Sequence, residues 1–94
     1  MVQVRISEAA LNYFKSKTDT ITLLVANIPG WGGPCRAPAV YAGKPDNVDA
    51  YHYTEIEGLK VYVDKYSPMD RDGLQIDLKG FGLFKKPVIE GFLV

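Results

Sequence analysis

Apolar residues follow a three-to-four-residue rhythm near the start of the chain and two-residue alternations afterwards. Ala10, Leu11 and Phe14 recur at helical spacing with Asn12, Lys15 and Lys17 on the other side. That pattern predicts one amphipathic helix over about residues 8–17. Ser7 suits its N-cap, Glu8 suits the positive helix end, and Ile6 with Leu11 has hydrophobic-staple spacing. Beyond Asp19, Thr20 to Ile28 is β-branched and apolar, as in a strand buried on both faces. Residues 29–34, Pro-Gly-Trp-Gly-Gly-Pro, are expected to stop regular structure. Residues 30–37 then form an irregular, solvent-accessible connection. A short strand is expected at Ala39–Ala42, and Val48 to Ile56 alternates weakly. Leu59 to Asp64 alternates clearly, with Leu59, Val61 and Val63 inward and Lys60, Tyr62 and Asp64 outward. Glu57-Gly58 between them is a two-residue hairpin turn in which Gly58 supplies a positive φ. Leu74–Leu78 alternates again, and short runs at Phe81–Phe84 and Val88–Val94 follow.

One helix followed by short strands predicts a mostly β, α+β domain: a sandwich of short mixed or antiparallel strands carrying an N-terminal helix. Doubly wound α/β is excluded because its helices are missing. The expected core is Leu23, Val25, Val61, Val63, Ile76 and Leu78, with Leu11 and Phe14 of the helix packed on a sheet. Residues 1–94 leave room for a single domain.

Charge and cysteine content narrow the function. Eleven Lys+Arg balance eleven Asp+Glu, which argues against nucleic-acid binding by phosphate neutralisation. One cysteine closes no intrachain disulfide, and one cysteine with one histidine makes no self-contained zinc site. The apolar stretch Ile21–Ile28 is far short of a membrane span, and the opening residues do not read as a signal peptide. A cytoplasmic protein without nucleic-acid or membrane partners is expected.

The unusual segment is Pro29 to Pro38, PGWGGPCRAP. Its glycines permit close backbone approach, its prolines fix the path, and Arg36 beside Cys35 would favour the thiolate. Cys35 is therefore the candidate metal ligand or nucleophile, and Trp31, Gly32, Gly33 and Arg36 are candidate partner contacts. The competing reading makes Cys35 an incidental small residue of a rigid loop. His52 lies between Tyr51 and Tyr53, without the third orienting group that a Cys35/His52 dyad would need. Asp70-Arg71-Asp72-Gly73 reads as a turn, since the twelfth position of a calcium loop would be Phe81.

Taken in order, four segments resemble the HesB/IscA-like domain, the A-type family of iron–sulfur cluster carriers. Val4-Arg5-Ile6-Ser7-Glu8-Ala9-Ala10 is similar to the family's entry into its helix, and Leu23-Leu24-Val25 followed by Gly32-Gly33-Pro34-Cys35 to its first-cysteine loop. Ile56 to Asp64 is similar to its Val-x-Val-Asp hairpin, and Asp72-Gly73-Leu74-Gln75-Ile76-Asp77 with Gly80-Phe81 to the segment beyond. The resemblance implies a HesB-like fold, an iron or labile iron–sulfur cargo, and assembly or recipient proteins as partners. It implies no enzymatic activity. Family carriers add a Cys-Gly-Cys pair near the C-terminus, whereas Lys85 to Val94 here holds no cysteine. A homodimer would offer two Cys35 thiolates where a cluster takes four donors, and His52, Asp64, Asp77 or Glu90 would add harder ligands suited to mononuclear iron. Two further functions fit the same residues: a thiol redox or persulfide-handling protein using Cys35, and a Cys-independent interaction module presenting Trp31 and a tyrosine-rich face.

Overall fold

The computed structural model describes residues 3–30, 33–80 and 85–92; for 28–30 and 33–36 it describes the backbone path and pairing. Strand β1 (Val4–Ile6) leads into helix α1 (Glu8–Lys15), followed by β2 (Thr20–Gly30) and β3 (Gly33–Ala42). A 3₁₀ turn at Val48–Ala50 precedes β4 (Tyr51–Ile56), β5 (Leu59–Asp64), β6 (Leu74–Lys79) and β7 (Lys86–Glu90). The strands form a three-stranded sheet, β1-β6-β7, and a four-stranded sheet, β3-β2-β5-β4. This is the mostly β, α+β class that the alternation predicts.

Local chemistry sets each element. The Ala10 amide donates to the Ser7 hydroxyl at 3.2 Å, so Ser7 is the N-cap, and the helix ends at Lys15, two residues earlier than its periodicity suggests. The Ser7 amide donates to the Ile76 carbonyl at 2.9 Å, which ties the cap to β6. Strand β1 is a finding beyond the sequence reading: it pairs parallel with β6, Val4 against Leu74 and Ile6 against Ile76. At the β4–β5 turn Glu57 and Gly58 both have positive φ, 47° and 90°, as a type I′ turn requires. At Asp70–Gly73 the Gly73 amide donates to the Asp70 carbonyl at 3.0 Å, closing the expected turn. Gly91, at φ 112°, lies so close to the Gly73 backbone that a Cβ would collide with it.

The core joins both sheets through α1, which packs on β5 and β6. Ala10, Leu11, Phe14, Ile21, Leu23, Leu59, Val61, Val63, Leu74, Ile76 and Phe92 are buried. The inward set of β5 is thus the one its alternation predicts. Val25 and Leu78, expected in the core, are half-buried and pack at its margin. The run Phe81–Phe84 lies outside the described residues.

Strand β2 has two halves. Thr20–Leu23 is central, pairing parallel with β5 and antiparallel with β3. All four residues are buried, and the threonines are satisfied locally. The Thr22 hydroxyl donates to the Gly43 carbonyl at 2.8 Å, and the Thr20 hydroxyl to Asp19 at 2.9 Å. Past Leu23 the β5 partner ends and β2 runs on with β3 alone, so residues 24–30 and 33–39 form a projecting two-stranded ribbon.

A small polar network holds the base of this ribbon. The Val25 amide donates to the Ser67 hydroxyl at 3.1 Å, and that hydroxyl donates to Asp64 Oδ2 at 2.8 Å. Asp64 Oδ1 accepts the Tyr66 amide at 3.1 Å. Ser67 is 3% exposed, so nothing from solvent replaces it. Replacing it with alanine should cost about 1–3 kcal/mol in urea unfolding, and hydrogen exchange at the Val25 amide should rise selectively. An unchanged Val25 amide would contradict the network. Leu23→Ala, which empties a fully buried position between the two sheets, should cost about 2–5 kcal/mol. Loss within about 0.5 kcal/mol, the size expected of a surface change, would break the assigned register.

Candidate functional site: a proline-bearing ribbon

Cys35 pairs with Ile28, two residue pairs back from the closing pair Gly30–Gly33. The sequence reading treats residues 30–37 as irregular because prolines remove ladder donors. The described backbone corrects this: 33–37 belong to β3, and the antiparallel ladder runs to the ribbon's end. The reason lies in register. The Gly43 amide donates to the Thr20 carbonyl at 2.8 Å, so Thr20 is in the bonded set and every second residue of β2 follows it. Val25 is then in the non-bonded set, which its amide confirms by turning to Ser67. The pairs Pro29–Pro34 and Val25–Pro38 fall in that same set. Each proline therefore sits where its missing N–H would have pointed away from the partner strand, and no ladder bond is lost. Even parity shared by Pro34 and Pro38 was the sequence signal for this arrangement.

The remaining candidate residues are dispersed. Trp31 and Gly32 lie outside the described residues, as do the side chains of Cys35 and Arg36; Gly33 closes the ribbon opposite Gly30. His52, half-buried, pairs with Val63 on β4, the opposite edge of the sheet from β3. Three strand spacings across and five residues along separate it from Cys35, about 20 Å at ordinary sheet dimensions. No Cys35/His52 dyad forms within one chain. Asp64 is committed to the Ser67 turn. Asp77 accepts the Leu78 amide at 2.7 Å. That bond first, then Ser7 and Lys79 beside it, hold its carboxyl below the usual aspartate range. Glu90 pairs with Gln75 on β7 in the other sheet. Among the described residues no three His, Cys, Asp or Glu side chains converge on one point. With one cysteine per chain, this donor set does not fit a conventional cluster held by one molecule.

Strand alternation also gathers a feature that the sequence reading left diffuse. Tyr51, Tyr53, Tyr62 and Tyr41 share the outer face of the four-stranded sheet. Tyr53 and Tyr62 lie 5.1 Å apart between ring centroids, and Tyr41 and Tyr53 are half exposed. Beside them the connection at residues 43–50 leaves an open cleft walled by Tyr41, Tyr51 and Asp64. Among the described residues no helix is long and apolar enough to cross a membrane.

The fold is shared with an iron–sulfur protein. A crystal structure of IscA with the [2Fe-2S] cluster superposes with a TM-score of 0.66 over 95% of this chain and 85% of that one, at 12% sequence identity. At that identity the likeness is one of fold, and the HesB/IscA resemblance of the sequence holds at that level. No curated protein matches the chain. A family model matches residues 2–92, nearly the whole sequence. By that match the protein, though it has one cysteine and so no Cys-Cys pair, belongs to the CC/Se motif containing family.

Proposed function

We propose that this protein is a divergent, non-catalytic relative of the A-type iron–sulfur carriers that presents a single thiol, Cys35, as a shared ligand for iron or a labile cluster. The observation that carries the reading is the place of Cys35: near the end of a ribbon projecting from an IscA-like fold. A ribbon held by a regular ladder and clipped at Ser67 carries the Cys35 backbone out past the last β5 pairing. The cargo is a substrate here, and Cys35 supplies one donor. The other donors come from a small thiol or from an assembly or recipient protein, so transfer is ligand exchange without a change of oxidation state. A lone thiol also fits a reducing compartment such as the cytoplasm.

A second reading rests on the thiol itself, the one cysteine of the chain. Cys35 would then act as a thiol nucleophile in redox or persulfide handling, without metal.

Anaerobic reconstitution with ferrous iron, sulfide and glutathione separates these readings. The parent protein should retain iron and acid-labile sulfide in proportion to glutathione and lose both on dialysis without thiol. Cys35→Ser should remain folded by circular dichroism and retain neither. Equal iron in both proteins would overturn the carrier reading. Rapid alkylation of Cys35 with no bound iron would favour the thiol nucleophile, and a brown centre surviving dialysis would contradict shared ligation.

A further inference from the structure

The two sheets have four edges, and three of them are guarded. Strand β3 carries Pro34 and Pro38, β7 carries Lys86 and Pro87, and β1 is three residues long with Arg5 at its middle. These are ordinary devices against edge-to-edge pairing. The fourth edge, β4, is the least guarded: its one full charge is Glu55. Its sequence Tyr-His-Tyr-Thr-Glu-Ile is six residues of largely aromatic and β-branched type, without proline, lysine or bulge. Among the described residues no strand covers its outer side.

Register shows which groups that side offers. The Lys65 amide donates to the Ala50 carbonyl at 3.0 Å, which assigns Ala50, His52, Thr54 and Ile56 to the set bonded with β5. Tyr51, Tyr53 and Glu55 therefore turn their backbone groups outward. The Tyr51 amide is taken by the Val48 carbonyl, which leaves the Tyr51 carbonyl and both groups of Tyr53 and Glu55.

We propose that β4 is a dimerisation edge and that its occupant is β4 of a second copy, paired antiparallel about Tyr53. The strand is self-complementary in that register. Tyr53 faces its own copy through two backbone hydrogen bonds, and each Glu55 amide meets the partner's Tyr51 carbonyl. His52 faces Thr54 on the inner side, and Glu55 faces Tyr51 rather than its own copy, so no like charges oppose one another. The half-exposed Tyr53 ring, stacked on Tyr62, is covered by its copy. The result is one eight-stranded sheet in the order β3-β2-β5-β4-β4-β5-β2-β3.

This arrangement has a consequence for the thiols that does not depend on whether iron binds. The two ribbons stand at opposite outer edges, seven strand spacings or about 34 Å apart. The two Cys35 residues of the dimer therefore cannot meet at one cluster, and on the carrier reading each would serve a separate partner.

Light scattering on the full chain tests the proposal through its mass. The parent, 10.4 kDa per chain, should run as a dimer at high micromolar concentration. Tyr53→Lys adds an edge charge, and Tyr53→Pro removes an outward amide without touching the β4–β5 ladder. Both should be folded monomers under the same conditions. Facing bonded pairs lie about 5.5 Å apart between Cα atoms, within disulfide reach. Tyr53→Cys in a Cys35→Ser background should therefore oxidise readily to a covalent dimer. A monomeric parent, an undiminished Tyr53→Lys dimer or a dimer lost in Cys35→Ser would overturn the proposal. Each of these results is read without iron and leaves the carrier assay independent.

Discussion

Strand β2 has β5 as a partner from Thr20 to Leu23 and no further, while its pairing with β3 continues to Gly30. That termination divides the molecule. On one side, β2 is a central strand whose Ile21 and Leu23 pack with Val61 and Val63 beneath α1. On the other it becomes one arm of a ribbon that carries Cys35 away from the core. The Ser67–Asp64 network stands at the boundary and occupies the first amide that β5 leaves free. The ribbon, and the place of Cys35 in its ladder, follow from where one parallel pairing stops.

Much of this was legible in the sequence. The β5 alternation gave its buried set, Ser7 gave the cap, and Glu57-Gly58 gave the turn, because each depends on neighbours a few residues away. Strand β1 was not legible: three residues show no periodicity, and its partner β6 lies about seventy residues on. The number of prolines hides the ribbon, because their parity decides whether the ladder survives. Pro29, Pro34 and Pro38 would break a ladder if one of them were shifted by a single residue, and they leave it intact where they stand. A tyrosine-rich face was expected, but which tyrosines compose it was not legible. Its members come from β3, β4 and β5, and pairing alone brings them together.

The functional reading inherits this division. The fold is like that of a solved IscA structure, but the chain's donors are spread over both sheets, with Cys35 on the ribbon. That layout is why the proposal has Cys35 complete a ligand set supplied in part by others. Pairing through β4 agrees with it, since that edge lies farthest from the ribbon within the sheet. The prolines on β3 then have two roles. They allow the ribbon's internal ladder and deny its outer side to a further strand.

The central claim, a regular ribbon with its prolines in the non-bonded set, is tested most directly by cross-strand nuclear Overhauser contacts between α-hydrogens. Facing residues of non-bonded pairs approach to about 4.5 Å between Cα atoms, close enough for strong contacts. They should appear between Asn27 and Arg36, Pro29 and Pro34, and Val25 and Pro38. Contacts between Ile28 and Cys35 in their place, or none beyond Val25, would show a shifted register or an irregular loop and would contradict the account.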